Sequence, residues 1–161
     1  MSSYTDFYVG RGGSAEWIGS LRGESCPDNV RAVPPLLLAL TTTDEDVFRA
    51  AVADTLDVWE DERLGQGYRP GRGWPWPWHS SHFASWIVVF DPEPGAVFVT
   101  VGGGTRWHRI DPRDPRFPDR GSAGTTDVSA WQRDRAAPPS VPMPLMLDKP
   151  ADAPVFGGEV R

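Results

Sequence analysis

The sequence predicts an α+β protein: an antiparallel β-meander sheet packed against one main helix, with a proline-rich C-terminal arm. Three observations carry this. Residues 43–64 hold apolar side chains at helical spacing. Two β-rich runs, Phe83–Phe90 and Ala96–Val101, flank the turn sequence Asp91-Pro-Glu-Pro-Gly95. Gly and Pro, 17 of each in 161 residues, demand many turns and extended connections rather than a helical bundle. The length suits a single domain, residues 1–135, with 136–161 as a tail.

Along the chain, Tyr4–Val9 is aromatic and β-branched, and Gly10-Arg-Gly-Gly13 is turn chemistry. Ala15, Trp17, Gly19 and Leu21 then alternate with more polar positions, as a half-buried return strand would. A short helix from Ser14 is the alternative. Residues 22–35 read as a loop, and Leu36–Leu40 as a short buried strand. The helix over 43–64 starts with a Thr42-x-x-Glu45 capping pattern and early acids that suit its positive dipole end. Phe48, Val52, Leu56 and Trp59 form its inner face, and Gly65 and Gly67 end it.

Tyr68–His82 is a Pro/Gly/Trp segment whose prolines forbid a central strand or helix. It reads as an extended path with Trp74, Trp76 and Trp78 fanned around it. Thr105–Ile110 reads as a third antiparallel strand after the hairpin. Asp111–Arg120 is an irregular loop, Ser129–Arg135 a brief helical turn, and Ala136–Arg161 an arm with six prolines in 26 residues.

Charge is localised. The net charge is −6, and residues 42–64 hold eight acids against Arg49 and Arg63, which alone gives 2 − 8 = −6. The remainder is neutral, which excludes the basic footprint of a general nucleic-acid binder. Of 16 basic residues only Lys149 is not Arg, a bias of GC-rich codons. Cys26 is the sole cysteine, so no internal disulfide forms. The opening residues lack a secretory signal pattern, and the apolar runs Val33–Leu40 and Trp86–Phe90 are too short to span a membrane. The expected location is cytoplasmic.

Motifs for catalysis are weak. Gly10-x-Gly12-x-x-Ala15 matches a dinucleotide fingerprint superficially, but no crossover helix fits before Gly23, and no cofactor is expected. His79-x-x-His82, with His108 on a neighbouring strand, is a candidate metal trio, although no cysteine or carboxylate completes it. Cys26, Ser80 and Ser81 are the candidate nucleophiles, and none lies in an activating context. A small metal- or histidine-dependent enzyme is therefore the alternative to a binding role. A structural protein of a phage or plasmid apparatus is a third.

Two features favour protein binding. Asp54, Asp57 and Asp61 line one side of the helix, where a solvated face is the plain explanation and a surface for a basic partner the functional one. Trp74, Trp76 and Trp78 sit on a proline-stiffened loop, suited either to packing or to anchoring an interface. The expected function is a non-enzymatic protein-binding one that uses both.

Tyr8-Val-Gly-Arg-Gly-Gly-Ser-Ala-Glu-Trp-Ile-Gly-Ser20 and Gly73-Trp-Pro-Trp-Pro-Trp78 resemble stretches of small proteins of actinobacteria and their mobile elements, a likeness that implies no activity. The helix, hairpin and Gly102-Gly-Gly-Thr-Arg-Trp107 together resemble immunity proteins of bacterial polymorphic toxin systems over residues 43–110. That likeness implies a small acidic inhibitor that covers a cognate toxin's active site, and it carries over no functional residue.

Overall fold

In a computed structural model of the chain, the structure describes residues 3–10, 15–23, 33–77, 81, 84–101 and 107–110. Strands β1 (Ser3–Val9) and β2 (Glu16–Gly23) open it, followed by helices α1 (Pro34–Thr41) and α2 (Glu45–Asp61). Strand β3 (Gly65–Tyr68) and a 3-10 turn, Pro70–Arg72, lead to β4 (Trp86–Asp91), β5 (Ala96–Val101) and β6 (Trp107–Arg109). The fold is α+β, as the sequence predicts. The expected loop at 111–120, the turn at 129–135 and the arm at 136–161 lie outside the described residues.

The strands make one sheet in the order β3-β2-β1-β4-β5-β6. The expected meander holds for β4-β5-β6, whose pairs are antiparallel. It does not hold for the whole sheet, because β1 lies at the centre and runs parallel to β4, Thr5 opposite Trp86 and Val9 opposite Phe90. Parallel neighbours cannot be joined by a tight turn, so the chain needs a crossover. β3 and β4 both run parallel to β1, since β1/β2 and β2/β3 are antiparallel. The chain from β3 to β4 must therefore pass over β2 and β1, a lateral distance of about 14 Å at strand spacing.

Two corrections concern the helices. Leu36–Leu40, expected as a buried strand, lies in α1. Pro34 and Pro35 occupy its first turn, where a missing N–H is harmless, and Leu36, Ala39 and Leu40 bury one side at helical spacing. α2 is capped by Asp44 rather than Thr42: Val47 N–H donates to Asp44 Oδ1 at 3.0 Å, while Thr42 Oγ1 accepts from Asp44 N at 3.1 Å. Nor do Gly65 and Gly67 end α2. Arg63 takes the left-handed conformation (φ 56°), with Leu64 N–H donating to Trp59 O and Arg63 N–H to Glu60 O. Gly65 and Gly67 belong to β3, where a Cβ on Gly65 would lie 1.8 Å from Arg22 O.

The sheet buries both faces. On one, α1 and α2 pack Leu36, Leu40, Phe48, Val52 and Leu56 onto Phe7, Val9, Leu21, Val88, Phe90 and Val97. On the other, Tyr8, Trp17, Tyr68, Ile87, Val89 and Phe98 are covered by Trp74 and Trp76 from the crossover. A bulge in β2 serves this second face. Phe7 pairs with Gly19 but Tyr8 with Trp17, so Ile18 is the extra residue. Simple alternation would put Trp17 and Leu21 on one face; the bulge sends them to opposite faces.

Candidate functional site

The sequence pointed to α2's carboxylates, the tryptophan segment and the histidines. Those among them that the structure describes lie in different surroundings. Asp54, Asp57 and Asp61 are exposed on α2, opposite the buried row Phe48, Val52, Leu56 and Trp59. Asp46, Glu60 and Glu62 are exposed as well. Asp57 pairs with Arg69, whereas Asp54 and Asp61 have no ion-pair partner among the described residues. Near the other end of the helix, Arg49 donates two hydrogen bonds to Glu16 on β2, at 2.9 and 3.1 Å, and one to Glu45 at 2.9 Å. The hydrogen bond from Arg49 holds the Glu16 carboxyl below its usual range.

Of the two roles expected for Trp74 and Trp76, packing or anchoring an interface, their position is that of packing: both rings lie in the core, with 0% and 3% of their surface exposed. Trp74 meets Trp17 edge-on at 5.3 Å, and Trp76 meets Tyr4 and Tyr68 at 4.7 and 5.5 Å. The alternating prolines explain the placement, because an extended backbone can point both rings down onto the sheet while crossing it. Trp78, His79, His82, Ser80 and Cys26 lie outside the described residues. His108 is on β6, opposite Val99. Among the described residues no cluster of three or more His, Cys, Asp or Glu is arranged to hold a metal.

One group was missed by reading the sequence. Asp6, in β1 between Thr5 and Phe7, is fully buried on the crossover side of the sheet. Its Oδ1 accepts from Ser20 Oγ at 2.5 Å and from Trp76 Nε1 at 2.8 Å, and its Oδ2 accepts from Ser81 Oγ at 2.7 Å. Trp17 Nε1 donates to Ser20 Oγ at 2.9 Å, and the Tyr8 hydroxyl lies 2.8 Å from Ser81 Oγ. Since Ser20 and Ser81 give their own protons to the carboxylate, the network converges on Asp6. Desolvation nevertheless raises its pKa above the ordinary 3.8, the three hydrogen bonds acting against that rise. The available signal was an acid in the same parity as Tyr4 and Tyr8 within an otherwise inward-facing strand.

Ser81, a candidate nucleophile, is thus a buried hydroxyl engaged by Asp6 and Tyr8, with no accessible surface for a substrate. A shallow open hollow of about 470 Å³ lies at the β2/β3 end of the sheet, lined by Arg22, Gly23, Leu64, Gly65 and Gln66. It contains none of the candidate residues. Among the described residues no helix is long and apolar enough to cross a membrane. Comparison with protein-family models, with curated proteins and with solved structures finds no match.

Proposed function

We propose that the protein is a non-enzymatic binding protein that engages a basic protein partner through the outer face of α2, an immunity-type inhibitor being its specific form. The supporting observation is the exposed row Asp54, Asp57 and Asp61, where only Asp57 is neutralised by a described neighbour. Carboxylates concentrated on one rigid helix create a local field that steers a cationic surface and accelerates encounter. The core position of Trp74 and Trp76 takes those rings out of this surface and leaves the charge to carry recognition. Ser81's burial likewise supports a role without nucleophilic catalysis.

The test is capture of a partner from lysate of the source organism, followed by association kinetics with wild type and with Asp54→Asn/Asp61→Asn. Both positions are solvent-exposed, so the variant should fold normally. Slower association, with a weaker dependence on salt, is the expected result. Unchanged kinetics would remove α2 from the interface.

A further inference from the structure

The sequence of α1, Pro34-Pro-Leu-Leu-Leu-Ala-Leu-Thr41, is apolar around its whole circumference, a pattern that suits a helix covered on every side. Yet only Leu36, Ala39 and Leu40 are buried, and Leu38 keeps 49% of its surface exposed. Among the described residues the exposed large apolar side chains are Leu38, Val47 and Leu64. Leu64 lines the hollow beyond the far end of α2, whereas Leu38 and Val47 flank the corner where α1 turns into α2. Hydrogen bonds fix that corner. Thr42 N–H donates to Leu38 O at 3.0 Å, Asp44 N–H to Thr42 Oγ1 at 3.1 Å, and Val47 N–H to Asp44 Oδ1 at 3.0 Å.

From Val47 the outer face of α2 continues through Ala50, Asp54, Asp57 and Asp61, all exposed, at alternating steps of three and four residues. That is the heptad stripe along which one helix packs against another. The stripe is about 21 Å long at 1.5 Å per residue and changes character on the way. It is apolar and small at the corner, and anionic beyond it. Charge decides what could cover it. The neighbouring cations are few: Arg69 is paired with Asp57, Arg49 with Glu16 and Glu45, and Arg63 follows the helix end. A second copy of the chain would bring the same carboxylates against these. Residues 111–161 hold seven basic and eight acidic residues, so the C-terminal part of the chain has no net positive charge to offer. A cationic helix of another protein complements the stripe at both ends.

We infer that the outer stripe of α2 and the α1–α2 corner receive one amphipathic helix of the partner. Its basic residues, spaced three and four apart, lie opposite Asp54, Asp57 and Asp61, and its apolar end lies against Leu38 and Val47. This deepens the acidic-face reading and rests on it. The carboxylates govern the rate of encounter, and the apolar end governs how long the complex lasts.

The experiment measures binding kinetics between the full chain and a peptide of about 20 residues, stapled because short isolated helices are marginal in water. The peptide carries arginines along one stripe and a pair of leucines at one end of it. A control of equal composition has the leucines moved to the opposite side. The control should bind about tenfold more weakly, and Leu38→Ala/Val47→Ala should speed dissociation of the matched peptide about tenfold at an unchanged association rate. Asp54→Asn/Asp61→Asn should instead slow association. All four positions are exposed, so both variants should keep the fold. If only the acidic variant alters the kinetics, the apolar anchor is refuted while the acidic-face reading stands. If neither variant does, or the peptide does not bind, both fall. A dimer of the chain alone, seen by light scattering and abolished by Leu38→Ala/Val47→Ala, would assign the corner to a second copy and overturn the inference as well.

Discussion

Trp76 Nε1 donates to Asp6 Oδ1 across 2.8 Å, joining residues 70 positions apart in a site where neither is appreciably exposed. The indole therefore does two things, filling space against Tyr4 and Tyr68 and satisfying part of a buried charge. Substitution separates them. Trp76→Phe keeps an aromatic ring but loses the donor, and should lower stability by about 1–3 kcal/mol. Trp76→Ala also removes the packing, for a loss of about 3–5 kcal/mol. Urea denaturation of both variants checks the order; a Trp76→Phe protein as stable as wild type would mean that the hydrogen bond contributes little, and equal losses that the packing does.

Asp6 also fixes a sign for pH dependence. Its folded-state pKa lies above the unfolded value, so the folded protein holds this proton more tightly. Stability from this group is full below the unfolded pKa and is lost as pH rises through the folded one. Asp6→Asn removes that loss. The denaturation midpoint of the variant relative to wild type should therefore improve as pH rises above about 4. Glu16 has the opposite sense, its stabilisation fading as pH falls, but it is present in both proteins and cancels in the difference.

Two glycines a few residues apart should respond oppositely to alanine. At Gly65 an added Cβ would meet Arg22 O at 1.8 Å and Trp59 Nε1 at 2.7 Å, both fixed parts of the β2/β3/α2 junction. Gly65→Ala should cost more than about 3 kcal/mol, a loss above the common range for single substitutions. At Gly71, in the 3-10 turn, nothing lies within 4 Å of the added carbon. Gly71→Ala should stabilise by about 0.4–1 kcal/mol through the entropy of the unfolded chain. Thermal unfolding of the pair is sufficient to check both.

Arg63 holds the left-handed position that closes α2, where an L side chain is disfavoured by about 1–2 kcal/mol. Both backbone bonds of the closing turn come from main-chain groups, so the side chain is not needed for them. Arg63→Gly should raise the denaturation midpoint, with a gain of about 0.5–1 kcal/mol after the greater freedom of unfolded glycine is counted.

What the sequence made legible follows the range of the interactions involved. α2 and the β4/β5 hairpin are specified locally, by Phe48, Val52, Leu56 and Trp59 at helical spacing and by Pro92, Pro94 and Gly95 in the turn. α1 was misread because a five-residue apolar run has no period that separates helix from strand; Pro34 and Pro35 at its first turn were the clue. β3 was missed because Gly65-Gln-Gly-Tyr68 has almost no strand propensity and exists through its pairing with β2. The exposed acids of α2 were legible for the same reason as the helix. The burial of Trp74 and Trp76 was not, since it depends on the crossover route, which is set by the parallel β1/β4 pair.

That pair has a consequence for biosynthesis. Tyr4 N–H donates to Ser85 Oγ, groups 81 positions apart, and the whole central ladder waits on comparable separations. When β1 and β2 leave the ribosome they can fold back on each other at once, but β1's other edge has no neighbour until β4 has been translated. At about 5–20 residues per second that interval is about 4–16 s. During it a strand carrying Phe7, Tyr8 and Val9 is open to pairing with any other extended chain. The nascent protein, rather than the finished one, is where chaperone dependence and aggregation should be sought.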